Sequence, residues 1–344
     1  MNNYEADILS QPADIRRALD FYKENEYAEK LAAFASKQYK NIIFTGMGSS
    51  YISCYSAATM LRNAGFSVMK IPSSQLLHFE TKAIAEDSLL VCVSQSGESA
   101  EVAGLMTKVR GHKNIIGITN DMESALGKRA NLALDMRVAP ERSVSTRTYL
   151  ASLAINHMLA KVFCGDGNGY DDVARATDCL EESVKDFSGD SEKIDGFFGL
   201  PPYMVMMARG FSVSTAEVGA LYVAEVAKYP VIPFDAGQFR HGPLELVNES
   251  FHCVVFAPES GCYNLQIKIA EQIAANGGKA LLITDSDYYG GGNNIISAKQ
   301  KYPCAELECF VNVSVAQMIA NNIAKRKGLD VGQFFHSSKV TIVE

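Results

Sequence analysis

The residue types most suited to chemistry lie in the stretch Ser94–Ser99, with the sequence SQSGES. It follows an apolar run at 88–93 and precedes a helical pattern at 100–110, so it is predicted to be a strand-to-helix turn. The first turn of a helix has unpaired N–H groups and a partial positive charge that can hold phosphate. Gly97 allows close backbone approach and the serines add neutral donors, although an N-cap with extra serines is the alternative. Because the stretch contains no lysine and no GxxxxGK[ST] pattern, it favours a small phosphate monoester over a nucleotide.

The second candidate for catalytic chemistry is a carboxylate on the apolar stripe of a predicted helix. The stripe has helical spacing and consists of Val218, Leu221, Tyr222, Glu225 and Tyr229. A lone buried carboxylate raises its pKa, finds a partner or faces a cavity. Such a group could act as a general base for protons next to a carbonyl. A half-exposed glutamate at the edge of the stripe, or a structural ion pair, is the alternative.

Two further residues could transfer protons or form covalent bonds. His241 lies in a polar, turn-prone segment, FRHGPLE, where it could move protons near neutral pH or simply be a loop residue. Lys339 lies five residues before the end of the sequence. It is either a solvated terminal lysine or, on a tail folded over a crevice, an amine able to form a Schiff base.

The composition of the chain limits the classes of function. Its 344 residues can form two sizeable cores, and 47% hydrophobic and 21% charged residues are typical of a soluble globular protein. The net charge of −7 argues against nucleic-acid binding. No transmembrane run, signal peptide, CxxC spacing or HExxH pattern is present. We therefore expect a cytoplasmic protein with reduced cysteines, no metal and no membrane contact.

Apolar β-rich runs alternate with helical patterns along the chain, which predicts βαβ units and parallel sheets. Predicted strands occur in each half of the chain, at 41–45, 67–71, 88–93, 114–119 and 132–136, and again at 203–207, 231–234, 251–257 and 279–284. Helices are predicted at about 51–64, 151–162, 171–187, 215–228 and 263–276. The fold class is therefore α/β, with one unit occurring twice. Ligands of such sheets bind beyond the carboxyl ends of the strands, where Gly46–Ser50 and Ser94–Ser99 both lie.

Six motifs occur in an order that resembles a known family. They are Gly46-x-Gly-Ser-Ser50, Ser94-Gln-Ser-Gly-Glu-Ser99, Ser143-Val-Ser-Thr-Arg147, Gly219-Ala-Leu-x-x-x-Glu225, Phe239-Arg-His-Gly-Pro243 and the Lys339 tail. Together they resemble the sugar isomerase (SIS) family, whose double-SIS phosphosugar enzymes include the isomerase half of glutamine–fructose-6-phosphate aminotransferase, SIS-type glucosamine-6-phosphate deaminases and fructoselysine-6-phosphate deglycases. The resemblance covers roughly residues 25 to 344.

The resemblance implies two tandem SIS domains in a homodimer, each domain a five-stranded parallel sheet flanked by helices in a flavodoxin-like three-layer α/β/α arrangement. We expect a helical lead-in at 1–24, SIS domain 1 with the phosphate site at 25–165, a connecting segment at 166–190, SIS domain 2 with the catalytic helix at 191–330, and a tail over the active site at 331–344. No cofactor is implied.

The resemblance also implies roles for individual residues. Glu225 matches the base that moves a proton between C1 and C2, His241 matches the ring-opening histidine that reaches the neighbouring subunit's site, and Lys339 matches a lysine that forms a Schiff base with an open-chain ketose. The residues implied to bind the 6-phosphate are Ser50, Ser94, Gln95, Ser96 and Ser99. Those implied to line the rest of the substrate site are Gly48, Ser49, Ser145, Thr146 and Tyr222.

Two positions depart from the aminotransferase pattern, because Tyr222 and Arg147 stand where that enzyme has lysines. The missing lysine resembles the deglycases, whereas the retained tail lysine resembles the aminotransferase and the deaminases. The expected activity is C1/C2 proton transfer on a 6-phosphorylated amino sugar or fructosamine, with release of ammonia or an amine. A plain aldose–ketose phosphosugar isomerase and a non-catalytic phosphosugar sensor are the alternatives.

Overall fold

The computed structural model of the protein describes residues 1–25, 27–185, 187–288, 290, 292–336, 338–341 and 343, with only the backbone for 187–190. The chain forms two compact units. The first unit comprises residues 10–174 and 334–344, and the second unit comprises residues 1–9 and 175–333. The predicted domain bounds, which divide the chain differently at both ends, stay predictions.

The first unit contains a parallel five-stranded sheet with the strand order β2-β1-β3-β4-β5. The strands are β1 (Asn41–Thr45), β2 (Val68–Lys70), β3 (Ser88–Val93), β4 (Ile115–Thr119) and β5 (Leu132–Asp135). All six residues of β3 are buried, as expected of a central parallel strand covered on both faces. Because the strand order reverses between β1 and β3, the switch point of this sheet, where ligands bind, lies at their carboxyl ends.

Helices cover this sheet, and the apolar face of one of them forms part of the core. Val102, Leu105 and Met106 of α6 pack with residues of β3 and β4 in one buried cluster. The helices that begin in residues 1–174 are α1 (Asn3–Glu24), α2 (Tyr27–Ala35), α3 (Gly48–Ser53), α4 (Tyr55–Asn63), α5 (Ser73–His78), α6 (Ala100–Lys108), α7 (Ala125–Arg129), α8 (Arg147–Phe163) and α9 (Gly169–Lys185).

The second unit repeats this topology with the strand order β10-β9-β8-β6-β7, again parallel throughout. Its strands are β6 (Met204–Ala208), β7 (Val231–Asp235), β8 (His252–Phe256), β9 (Lys279–Thr284) and β10 (Ile295–Lys299). Its helices are α10 (Phe187–Phe198), α11 (Val213–Ala227), α12 (Ala236–Phe239), α13 (Tyr263–Ala275) and α14 (Glu308–Arg326). The predicted α/β fold with two five-stranded parallel sheets is confirmed.

Candidate active site

The predicted phosphate turn joins the end of β3 to the start of α6. Inside the turn, the Ser94 hydroxyl accepts a hydrogen bond from the Gly97 N–H (3.1 Å), and the Gln95 carbonyl accepts one from the Asn120 N–H (3.0 Å). Gln95, Ser96 and Ser99 are partly exposed, and the Ser99 side chain makes no capping bond to the helix it precedes. The turn is therefore fixed by the Ser94 side chain and by a backbone bond from the segment after β4, and it presents partly exposed polar side chains at the start of a helix.

Gly97 is required by the geometry of this turn. It has a φ of +63°, and a Cβ added there would lie 2.0 Å from the Ser124 hydroxyl oxygen. Ser124 is buried and caps α7 through a hydrogen bond from the Gly127 N–H. A side chain at position 97 would consequently displace the cap of a neighbouring helix.

The Gly46–Ser50 turn lies directly against the end of the phosphate-turn strand. It follows β1, and its serines belong to α3. A Cβ on Gly46 would lie 2.8 Å from the main-chain oxygen of Val93, the last residue of β3. The structure thus brings the turns after β1 and β3 together at the switch point, with Gly48, Ser49 and Ser50 on one and the Ser94–Ser99 stretch on the other.

Ser145 and Thr146 lie where α8 begins, and a buried glutamate organises this helix end. Glu141 Oε1 accepts hydrogen bonds from the backbone N–H groups of Thr146 (2.7 Å) and Thr148 (2.8 Å). The Ser145 hydroxyl is 3.0 Å from the Thr148 hydroxyl. These bonds satisfy N–H groups that the first turn of a helix leaves unpaired, and a negative charge is favoured there.

The same glutamate contacts the predicted Schiff-base lysine. Lys339 Nζ lies 3.0 Å from Glu141 Oε2 and donates to the Glu141 main-chain oxygen over 2.9 Å. The Glu141 side chain is fully buried, whereas that of Lys339 is 29% exposed. The sequence analysis missed Glu141. The local signal for Glu141 was a glutamate a few residues before the Ser-Thr pair at the start of a helix. That signal does not identify its lysine partner, which is 198 residues away.

Arg147, which replaces a family lysine, has a structural role in the first unit. Its guanidinium is 10% exposed, and its Nε lies 2.8 Å from an Asp14 carboxylate oxygen and 2.8 Å from the Ser10 hydroxyl oxygen. A further bond runs to the Pro140 carbonyl oxygen (2.9 Å). These contacts connect α1 to the start of α8, because a planar guanidinium can serve several acceptors at once.

In the second unit, α11 carries Glu225 on the predicted stripe. Val218 and Tyr222 are fully buried, Tyr229 is nearly so, and Glu225 is half-buried. Burial raises the pKa of Glu225 from 4.5 to about 7, against a smaller opposing effect of the Lys228 charge. A carboxyl group that titrates near neutral pH can both accept and return a proton, which is the property of a general acid–base residue.

Two tyrosines lie within electrostatic range of this carboxylate. Burial raises the pKa of the Tyr4 phenol well above its usual value, and the nearby Tyr222 and Glu225 raise it further. Tyr4 is fixed at the start of α1, where the neighbouring Asn2 side chain donates to Asn321 of α14 over 3.0 Å. The Tyr4 phenol therefore stays neutral, so it adds a polar group near Glu225 without adding charge.

His241 lies on the surface of the second unit, after α12. Its backbone N–H donates to the Gln238 carbonyl (2.9 Å), and it is followed by Gly242, whose φ of +120° turns the chain. The imidazole is exposed. The flanking segments of the chain carry two exposed apolar side chains, Ile232 on the edge strand β7 at 40% and Leu246 at 41% exposure.

Other binding chemistry is limited in the part of the chain that the structure describes. Within those residues, no set of three or more His, Cys, Asp or Glu side chains is arranged to hold a metal ion. Among the described helices, none has the length and apolar character needed to cross a membrane.

Fold and sequence together define the class of this protein. Each of two α/β units of the same topology has a switch point where open sheets of this kind bind ligands, and one switch point carries a serine-rich turn at a helix N-terminus. Residues 37–162 and 202–321 match the profile of the SIS domain. The chain therefore belongs to the SIS domain family, with two SIS segments, as the motifs predicted.

Individual relatives agree with this assignment. The chain is 28% identical over 332 residues to glutamine–fructose-6-phosphate aminotransferase (isomerizing) from Pyrococcus horikoshii, covering 94% of this chain and 54% of the relative. It spans about half the length of the curated relatives that it matches.

Solved structures share its fold. The C-terminal domain of glucosamine-fructose-6-phosphate aminotransferase from Francisella tularensis superposes with a TM-score of 0.84 at 20% identity, covering 97% of this chain and 98% of that one. Glucosamine-6-phosphate deaminase from Thermotoga maritima gives a TM-score of 0.77 at 20% identity, with coverages of 98% and 99%.

Proposed function

We propose that this protein is a phosphosugar enzyme that moves a proton between C1 and C2 of a 6-phosphorylated amino sugar or fructosamine and releases ammonia or an amine. The observation that carries the proposal is Glu225, a half-buried carboxyl whose pKa is raised to about 7. SIS-family membership and the serine-rich turn after β3 support a sugar phosphate as the substrate.

The chemistry begins with positioning. The 6-phosphate is held by the Ser94–Ser99 turn and Ser50, so that the carbon chain has a defined orientation without a chemical role for the phosphate. His241 assists opening of the sugar ring by returning a proton to the ring oxygen. Lys339 can capture an open-chain ketose as a Schiff base, in which its amine replaces the carbonyl oxygen and water is released.

Glu225 then performs the transfer on either substrate class. For a fructosamine it removes a proton from C1, giving an enaminol, and protonation at C2 leaves a C1 imine. For a 2-amino aldose it removes the C2 proton, and protonation at C1 leaves a C2 imine. Water adds to the imine, and the nitrogen leaves as an amine or as ammonia, so no oxidant or reductant is consumed.

We further propose a cytoplasmic homodimer in which His241 acts in the partner's site. The exposure of His241, with exposed apolar Ile232 and Leu246 in the flanking segments, supports an interface in this part of the second unit. Dispersed cysteines without disulfide spacing suit a reducing compartment. Mixing Glu225→Gln with His241→Asn protein tests the shared site. Recovery of about a quarter of wild-type activity on subunit exchange is expected, and no recovery despite mixed dimers contradicts it.

The reaction itself is tested with purified protein and two substrates, glucosamine 6-phosphate and fructoselysine 6-phosphate. Ammonia, lysine and hexose phosphate are measured for each. We expect turnover of one substrate with equal amounts of nitrogen product and hexose phosphate. Turnover of neither, with binding of hexose 6-phosphates intact, would contradict the proposal and favour a sensor or a plain isomerase.

A further inference from the structure

The C-terminal tail contacts the first unit at two helix ends that belong to the candidate site. The Lys339 ammonium lies 3.0 Å from Glu141 Oε2, before the start of α8. The Thr341 carbonyl oxygen accepts the backbone N–H of Ala100, the first residue of α6, over 3.0 Å. One contact is therefore next to the Ser145–Thr146 pair, and the other is next to the Ser94–Ser99 turn.

The two carboxylate oxygens of Glu141 have different partners. Oε1 accepts the backbone N–H groups of Thr146 and Thr148 and is 2.9 Å from the Thr148 hydroxyl oxygen. Oε2 is 3.0 Å from both the Thr148 hydroxyl oxygen and Lys339 Nζ. One fully buried carboxylate thus holds the helix end through both oxygens and the tail through Oε2.

The burial of Glu141 makes this arrangement more than a surface ion pair. Exposed pairs contribute little because solvent screens them and both side chains must be ordered. Here the carboxylate is already ordered by its bonds to α8, so that only the lysine must be fixed when the tail docks. A charge-assisted hydrogen bond to a buried, preorganised oxygen is stronger and more directional than an exposed one.

We infer that Glu141 is a positioning residue that sets the place of the Lys339 amine by joining the tail to the start of α8. The inference rests on the proposed function, in which Lys339 contacts the sugar. Glu141 acts through Lys339 rather than on the substrate. Docking of the tail and the conformation of the Ser145–Thr146 turn are consequently linked through one side chain.

The Glu141→Gln substitution separates the two functions of this side chain. An amide keeps one oxygen for the helix N–H groups, while its NH2 group replaces the oxygen that faces Lys339, so two donors then oppose each other. Lys339→Met removes this contact from the tail side, together with the 2.9 Å bond from Nζ to the Glu141 main-chain oxygen, which Glu141→Gln leaves in place. Glu123→Gln is the matched control, because Glu123 pairs with Lys128 at 3.3 Å but is 86% exposed.

The first measurement is tail exchange, the amide hydrogen exchange of the Ala100 N–H that donates to the Thr341 carbonyl oxygen of the tail, in protein without substrate. Glu141→Gln and Lys339→Met should each speed exchange there by on the order of tenfold, while Glu123→Gln leaves it unchanged. Because this measurement needs no turnover, it decides the inference even if the proposed function fails. Unchanged tail exchange in Glu141→Gln, with the folded state intact by circular dichroism, would overturn it.

The second measurement is kinetic and uses whichever substrate the wild-type protein turns over. Glu141→Gln should lower kcat by about tenfold or more with a small change in KM, since the phosphate turn is untouched. In a Lys339→Met background the same substitution should have almost no further effect. Equal losses in both backgrounds would show that Glu141 acts independently of Lys339, which contradicts the inference.

Discussion

Among single residues, Glu225 has the environment that a proton-transfer role requires. Replacing it by glutamine keeps the shape of the side chain and removes its ability to take a proton. We expect kcat to fall by about 10²–10⁴-fold while binding of a hexose 6-phosphate is retained. Turnover of the C1/C2 reaction and calorimetric binding of the phosphosugar measure the two effects separately. Normal turnover by Glu225→Gln would remove it from the mechanism.

The pH dependence of the reaction follows from the same residue. Burial raises the pKa of Glu225 to about 7, and the base is active in its ionised form. The fraction of active enzyme should therefore rise with pH through about 7 rather than through the 4.5 of an ordinary glutamate. A pH profile of kcat/KM for the free enzyme reports this limb. A profile that is flat between pH 6 and 8 would disagree with the environment of Glu225.

Gly97 gives a prediction for the phosphate turn. Alanine at this position would have to adopt a φ of +63° and would also meet Ser124 at 2.0 Å. We expect a loss of about 2–4 kcal/mol in the free energy of unfolding together with weaker sugar-phosphate binding. Gly111→Ala is the control, because it also has a positive φ (+96°) but has open space around its Cβ position. Equal losses for the two variants would mean that the contact with Ser124 does not matter.

At the scale of elements, the contact between α1 and the start of α8 depends on Arg147. Its substitution by methionine removes one of the two guanidinium groups that pair with the buried carboxylate of Asp14, while the exposed Arg17 remains. The loss of stability should therefore lie at or below the cost of breaking an isolated buried pair. Removing one member of a buried pair typically costs about 3–5 kcal/mol, and lysine, which keeps the charge but not the fork geometry, should cost less. Lys299→Met breaks a pair that is exposed on both sides, with Asp287. In urea unfolding, the loss in the free energy of unfolding should therefore be largest for Arg147→Met, smaller for Arg147→Lys and smallest for Lys299→Met. Equal losses for the buried and the exposed pair would contradict this role of Arg147.

The sequence predicted the bounds of strands and helices well where the residues within the strand or helix themselves determine its structure. The strands β1 and β3 agree with their predicted bounds because continuous apolar runs are typical of buried parallel strands. The helix predicted at 51–64 is instead two helices with a break at Cys54, whose N–H bonds to the Tyr51 carbonyl three residues back. No proline or glycine marks that break, and β10 was not predicted.

Among the site residues too, features set by neighbouring residues in the sequence could be predicted, whereas contacts with distant parts of the chain could not. The Ser94–Ser99 turn is a local sequence feature, so its place between a strand and a helix could be predicted. The role of Glu141 depends on Lys339, a partner far along the chain, and no periodicity records such a pairing. Likewise, the placement of Tyr4 near Glu225 depends on how the start of α1 packs within the second unit.

At the scale of the whole molecule, the two units have one topology and different chemistry. The turn after β3 is SQSGES, whereas the corresponding segment after β8, residues 257–262, is APESGC. The second segment has one serine where the first has three, and each segment carries one glutamate, Glu98 in the first and Glu259 in the second. The second unit carries its candidate residue on a helix rather than on this turn. On α11, Glu225 interrupts a stripe of apolar side chains. One topology thus occurs twice in the chain, with the serine-rich turn in one unit and the candidate base in the other.

The stability of the protein should depend on pH through two buried carboxyls of the second unit. Burial raises the pKa of Glu308 from 4.5 to about 8, although a hydrogen bond from Ser212 opposes this, and the pKa of Glu225 is about 7. Both groups bind a proton in the folded state at pH values where the unfolded chain has released it. Their contribution to stability is therefore full below about pH 4.5 and is lost as pH rises through 7 and 8.

Between pH 6 and pH 9 the expected loss is on the order of 1–3 kcal/mol per group, because only the part of each pKa shift above pH 6 is titrated in this window and each unit corresponds to about 1.4 kcal/mol. This is a sizeable part of the 5–15 kcal/mol typical of a whole domain. Denaturant unfolding at pH 6 and pH 9 measures it, and Glu225→Gln/Glu308→Gln should remove most of the difference. Glu306→Gln, next to Glu308 in sequence but without a comparable burial, should leave the difference in place. If the double variant loses as much stability at pH 9 as the wild type, other groups control the alkaline limb, and the buried carboxyls are ionised at little cost.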